Sequence, residues 1–156
     1  MRSPFGETSE AMFLTSGYVY ESAEAAEARF KGEDDGFIYS RFANPTVRMF
    51  EERMIALEGA EDARATATGM AAVTAAMLCQ LSAGDHVVAA KALFGSCRYI
   101  VEELLPRLGV ESPLNEGTDL YQWEAAVRPN TQVSCLATPS NPTRELIDPQ
   151  ATPDSS

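Results

Sequence analysis

The groups in this chain that could do chemistry are few: three thiols (Cys79, Cys97, Cys135), one imidazole (His86), two amines (Lys31, Lys91), and arginines among which Arg41 sits in Tyr39-Ser40-Arg41. The cysteines are odd in number and lack a C-x-x-C pair, and a single histidine cannot build a multi-histidine centre. A disulfide scaffold and a zinc module are both disfavoured. No one histidine can activate all three thiols, so the cysteines read as small buried hydrophobes. His86, at the start of an apolar run, reads as structural. Anion chemistry remains. Thr68-Gly69-Met70 links a short apolar segment to an Ala-rich run, and the first N–H groups of a helix beginning there suit an anion. A glycine at such a turn serves a steric purpose equally well. Neither G-x-G-x-x-G nor G-x-x-x-x-G-K-[ST] occurs, so no motif supports a dinucleotide fold or a P-loop.

The elements that must position these groups alternate along the chain. The 156 residues, 45% hydrophobic and 22% charged, predict an ordinary soluble globular protein of one domain. Residues 1–43 read as an extended arm: four glycines, the acidic run Glu33-Asp34-Asp35, and one short helical pattern at Glu21–Phe30. Asn44-Pro45-Thr46 then pairs an N-cap residue with Pro at the first helical position. Val47, Phe50, Met54 and Leu57 follow on one stripe, and Gly59 stops the helix. Ala63–Ala67 is expected to be a short buried strand leading through Thr68-Gly69-Met70 into a helix that ends at Gly84. His86–Ala90 predicts a strand, and a helix from about Ser96 to Gly109 carries Ile100, Val101, Leu104, Leu105 and Leu108. Val110–Leu114 predicts a short strand, Thr118 caps a helix with Leu120, Trp123 and Val127, and Thr131–Ala137 predicts the last strand. Repeated alternation argues an α/β fold with a parallel sheet and crossover helices. Pro149–Ser156 reads as a disordered tail.

Twelve Lys and Arg against 23 Asp and Glu give a net charge of −11, which repels a nucleic-acid backbone. No apolar run is long enough to span a bilayer, and the first residues lack the pattern of a signal peptide. The expectation is a cytoplasmic protein with no nucleic-acid or membrane partner.

Tyr39-Ser40-Arg41-Phe42-Ala43-Asn44-Pro45-Thr46 resembles the Y-S-R-x-x-N-P-T signature of the Cys/Met-metabolism (trans-sulfuration) family of pyridoxal-phosphate (PLP) enzymes. Thr68-Gly69-Met70-Ala71-Ala72, Leu93-Phe94-Gly95-Ser96-Cys97 and Thr138-Pro139-Ser140-Asn141-Pro142-Thr143 agree with it in order and spacing. Within the family, GYVYESAEAAEARFKGEDDGFIYSR and ALFGSCRYIVEELLPRLGV look most like the O-succinylhomoserine sulfhydrylase branch. The resemblance runs from about Thr15 to Asp148.

It implies the start of a fold-type I (aminotransferase-like) cofactor domain: an arm over residues 1–43, the first half of the PLP-binding domain over 44–148, and a tail over 149–156 outside the family pattern. The implied cofactor is PLP. Its phosphate is expected on the amides of Gly69 and Met70, with Tyr39 and Arg41 reaching across a dimer interface to the phosphate of a neighbouring subunit. Phe94 is expected to stack on the pyridine ring, without the hydroxyl that many relatives have there, and Asn141 to hydrogen-bond the ring oxygen. Two positions depart from the pattern: Ala137 replaces a usual Glu, and Arg144 a usual apolar residue.

Absent from the matched pattern is the lysine that forms a Schiff base with PLP. Neither Lys31 nor Lys91 matches its motif, so no catalytic residue is assigned. The expectation is therefore an N-terminal fragment of a homo-oligomeric sulfhydrylase-like enzyme. Full-length relatives would replace the activated side chain of homoserine with sulfide to give homocysteine, in methionine biosynthesis, and this chain alone would be inactive. The alternative is a non-catalytic module that binds PLP or phosphate, or joins other subunits.

Overall fold

The computed structural model describes residues 5–149, which form two compact units divided between Ala65 and Thr66. The tail expected over 149–156 lies, apart from Pro149, outside the described residues.

The first unit contains two helices and little core. Helix α1 (Ala23–Lys31) starts where the Ser22 hydroxyl accepts from Ala25 N at 3.1 Å, and ends at Gly32 with φ 75°. Helix α2 (Pro45–Glu58) follows the cap chemistry of its sequence: the Asn44 side chain accepts from Thr46 N, Pro45 opens the helix, and Gly59 closes it at φ 64°. Asn44 also ties the arm down. Its amide donates to Phe13 O (2.9 Å), Ser40 Oγ (2.9 Å) and Tyr18 Oη (3.3 Å). The stripe expected to face a core does not do so: Val47, Phe50 and Leu57 are exposed, and α2 instead buries Pro45, Met49 and Glu51. Ala63–Ala67 is not a strand. The donors that a ladder would need go to side chains, Ala63 N to Asp62 Oδ1 and Ala65 N to the buried Glu51 Oε1.

The second unit is the α/β portion. Helix α3 (Gly69–Leu78) stops six residues before Gly84, because Cys79 N, Gln80 N and the Gln80 amide satisfy the last carbonyls. Strand β1 (His86–Ala90) occupies the centre of a three-stranded sheet of order β2-β1-β3, with β2 (Leu114–Asn115) and β3 (Thr131–Cys135) both parallel to it. Both outer strands are shorter than their sequence patterns predict. Between β1 and β2 run α4 (Gly95–Tyr99), a π-helical turn (Ile100–Leu104) and α5 (Leu105–Arg107). Pro106 explains the widened turn: its ring would clash with the carbonyl four residues back, and Leu105 N reaches instead to Ile100 O. Helix α6 (Leu120–Ala126) is capped by Asp119 rather than Thr118. One carboxylate oxygen takes both Tyr121 N and Gln122 N, so the helix starts one residue later than expected.

Alternation along β1 builds two core layers. Val87 and Ala89 pack with Met77, Leu93, Ile100, Val101, Leu105 and Val110. Val88 and Ala90 pack with Trp123 and Ile147 on the opposite face. All five β1 residues are buried, as a central parallel strand covered on both faces requires.

Candidate functional site

In the second unit, β1 and β3 are adjacent and parallel, so residues 91–95 and 136–148 leave the sheet at one carboxyl edge. The short 79–85 connection returns α3 to the start of β1, which places the N-terminus of α3 toward that same edge. Open parallel sheets bind ligands there. The edge thus gathers Gly69, Met70, Phe94 and Asn141.

Thr68 shapes the helix end. Its backbone is extended and its Oγ1 accepts from Ala71 N at 3.0 Å, while Gly69 and Met70 occupy the first two helical positions, where N–H groups have no intrahelical acceptor. Apart from its chain neighbours and the backbone of α3, nothing described lies within 4 Å of the position a Cβ on Gly69 would take, so this side of the helix end is uncrowded. The arrangement can hold an anion. Phe94 follows β1 at the head of α4 with 48% of its surface exposed, a flat apolar face available for stacking.

The loop after β3 is built around Ser140, which is 3% exposed. Ser140 N donates to Glu145 O (2.9 Å), Glu145 N to Ser140 Oγ (2.8 Å), and Arg144 N to Ser140 O (2.9 Å). The Ser140 and Thr143 hydroxyls are 2.6 Å apart. The Asn141 side chain is exposed on this scaffold and has no hydrogen-bond partner among the described residues.

In the first unit, the Arg41 guanidinium lies 4.8 Å from the Tyr39 ring centroid and 5.4 Å from that of Phe42. It also lines a cleft of about 810 Å³. Among the described residues, every lysine and arginine except Arg41 and Arg144 lies within 4.0 Å of a carboxylate. Arg41 is therefore a positive charge held on two aromatic faces and left unneutralised in an acidic protein. The two lysines are engaged at the surface, Lys31 with Glu27 and Lys91 with Glu116, each at 2.5 Å.

Sequence reasoning missed the Phe42 face, although it directly follows Arg41, and the organising role of Ser140. The hydroxyl between two prolines was the available signal for Ser140. The cysteines are not buried as expected: Cys79 is exposed, and Cys97 and Cys135 are half-buried. Burial pushes the Cys135 thiol up to about 11, which keeps it protonated and unreactive at neutral pH. His86 is fully buried, its Nδ1 2.8 Å from Thr131 Oγ1, and burial holds its pKa below the ordinary histidine value. Among the described residues no cluster of three His, Cys, Asp or Glu side chains could hold a metal ion, and no helix is long and apolar enough to cross a membrane.

Known proteins share both sequence and fold. The chain is 54% identical over 148 residues to O-succinylhomoserine sulfhydrylase of Mycobacterium tuberculosis, and 48% identical over 147 residues to that of Pseudomonas aeruginosa. These matches cover 95% and 94% of this chain but only 36% of each relative, so the chain spans about a third of their length. A crystal structure of an O-acetylhomoserine (thiol)-lyase from Campylobacter jejuni, carrying N'-pyridoxyl-lysine-5'-monophosphate, superimposes with a TM-score of 0.88 at 28% identity. It covers 94% of this chain and 36% of that one. The family model for Cys/Met metabolism PLP-dependent enzymes matches residues 1–154. The helix end with two open amides and the half-exposed aromatic thus lie at the carboxyl edge of a sheet whose fold is shared with a pyridoxal-phosphate protein, and the chain belongs to the Cys/Met-metabolism family of PLP-dependent enzymes.

Proposed function

We propose that this chain provides the arm and the first half of the cofactor domain of a sulfhydrylase that acts on O-succinylhomoserine, replacing the succinyloxy group with sulfide to give homocysteine. In this reading the enzyme is a cytoplasmic homo-oligomer. Residues 1–43 form the arm, 44–148 the cofactor portion, and 149–156 a tail. The observation that carries the reading is the open end of α3, where Thr68 caps one donor and leaves the Gly69 and Met70 amides for a phosphate. PLP, when bound, supplies an electron sink for carbanion chemistry on amino acids.

The residues of this chain bind and orient. The Gly69 and Met70 N–H groups hold the phosphate, and Phe94 fixes the plane of the ring by stacking. Asn141, its amide free, donates to the ring oxygen. Tyr39 and Arg41 of one subunit serve the phosphate of a second subunit, and stacking on Tyr39 and Phe42 keeps the Arg41 guanidinium extended and unpaired for that purpose. Neither Lys31 nor Lys91 is assigned to this set: each is paired with a surface carboxylate, Glu27 and Glu116 respectively. The isolated chain is expected to bind cofactor without turning over substrate.

Titrating PLP against plain pyridoxal tests the cradle. Gly69→Pro removes one amide donor at a position where proline suits the first helical turn, and the extended Thr68 before it is compatible with proline. The expected result is preference for the phosphorylated form, weakened by about 1.5–3 kcal/mol in Gly69→Pro with α3 intact by circular dichroism. Equal affinities for the two forms would remove the cradle.

A further inference from the structure

Arg144 is the other described cation without a carboxylate within reach, and no aromatic face lies under it. Its backbone is unusual as well. At φ 59°, it is the one non-glycine residue among those described with positive φ. A side chain larger than hydrogen is strained there, and such strain persists only where the surroundings over-determine it. Here they do: Arg144 N donates to Ser140 O, the Ser140 and Glu145 backbones are paired, and the buried Ser140 hydroxyl is held between Thr143 Oγ1 and Glu145 N. Glycine would hold this turn without strain. The turn instead carries an exposed arginine with no carboxylate within 4.0 Å, three residues after Asn141, on the loop leaving β3 at the carboxyl edge.

An unneutralised guanidinium on a rigid turn suits a carboxylate. In a protein of net charge −11, an anionic substrate needs such a local cation to offset long-range repulsion. We infer that Arg144 is a specificity residue that recognises the terminal carboxylate of the succinyl ester of homoserine, and so separates this substrate from the acetyl ester, which has no second carboxylate. The inference rests on the sulfhydrylase reading above. It also accounts for a charged residue where the family pattern is apolar.

The test uses the whole chain in the presence of PLP, titrated calorimetrically with O-succinyl-L-homoserine and with O-acetyl-L-homoserine. The expected preference for the succinyl ester is about tenfold, in keeping with a charge-assisted contact at an exposed position. Arg144→Gly keeps the turn and is expected to abolish the preference while leaving the affinity for the acetyl ester unchanged. Arg144→Lys is expected to restore part of it. PLP affinity, measured separately, should be the same in all three proteins. A wild-type chain that binds PLP but shows no preference between the esters, or an Arg144→Gly chain that retains the preference, overturns the role of Arg144 and leaves the cofactor reading standing. A wild-type chain that binds no PLP overturns both.

Discussion

From Thr66 onward, five consecutive residues of β1 are buried between two apolar layers, one closed by Leu105 and Val101 and the other by Trp123. Up to Ala65, by contrast, Met49 and Pro45 are the buried apolar residues among those described, and the buried positions beside them are Asn44 and Glu51. Large apolar side chains there face solvent, among them Leu14, Val19, Phe50 and Leu57. The first region keeps its shape through directed polar contacts: Asn44 to three groups of the arm, Glu51 to Ala65 N, Tyr20 Oη to Ile38 O. Hydrophobic burial tolerates small shifts, whereas a hydrogen-bonded hub fails when one atom is lost. An apolar surface held out by polar contacts is also what an arm that engages a second subunit would require, which is how the proposed oligomer uses it.

The largest effect should follow from breaking the second region at its centre. Trp123 is fully buried, and its Nε1 donates to Gly117 O at 3.0 Å. Trp123→Ala is expected to destabilise that unit by about 3–5 kcal/mol, through lost burial and an uncollapsed cavity. Urea titration with hydrogen-exchange mass spectrometry checks it. The loss of protection should concentrate in β1, β3 and α6. An equal loss in α2 would show that the two regions do not differ as described.

In the first region the corresponding target is polar. Asn44→Ala removes the N-cap of α2 and three donor contacts to the arm at once. About 1–2 kcal/mol is expected from the cap alone. The change should appear as faster exchange in α2 and residues 13–18, with β1 unaffected. Phe50→Ala, by contrast, should move exchange there hardly at all, since more than half of that side chain is already exposed. A larger effect from Phe50 than from Asn44 would reverse the account of what orders the arm.

The same contrast decides what could be read in the sequence. Cap chemistry is local, so Asn44-Pro45 and Gly59 marked both ends of α2, and the short run His86–Ala90 marked a strand, whose central place only the structure shows. The face of α2 was misread because a 3.6-residue stripe reports amphipathicity and does not say what covers it. Ala63–Ala67 looked like a strand, but whether its amides would meet a ladder or the Glu51 carboxylate depended on a residue 14 positions away. Pro106 was visible, yet its outcome as a widened turn rather than a break came from tertiary burial of Ile100, Val101 and Leu105. Among the site residues, only the helix end at Gly69 followed from local physics. Tyr39, Phe94 and Asn141 had no periodicity or charge pattern to distinguish them, and family resemblance brought them forward.

The smallest expected effect is a pH response confined to the second region. His86 is the one histidine in the chain, and in the folded protein its pKa lies below the ordinary 6.5, first through burial and then through the nearby positive Arg128, with Glu111 acting the other way. Its Nε2 has no hydrogen-bond partner among the described residues, so a proton added there would be charged and buried. As pH falls through 6.5, the unfolded chain takes up that proton and the folded one resists it. The unfolded state therefore gains, and the stability contributed by neutral His86 is complete above 6.5 and declines below it until the folded-state pKa is reached. The loss by pH 6 should be less than about 1 kcal/mol. It should appear as a lower urea midpoint at pH 6 than at pH 7.5, and be flattened in His86→Gln. The carboxylates held low by hydrogen bonds, Glu10, Glu24, Asp62 and Glu102, titrate below their ordinary 3.8–4.5 and stay charged throughout this window. Exchange in α2, whose unit holds no histidine, should not change between the two pH values once intrinsic rates are corrected. A midpoint that stays constant would mean that the His86 ring accepts its proton without loss, and that the sheet edge around Thr131 relaxes more readily than its burial implies.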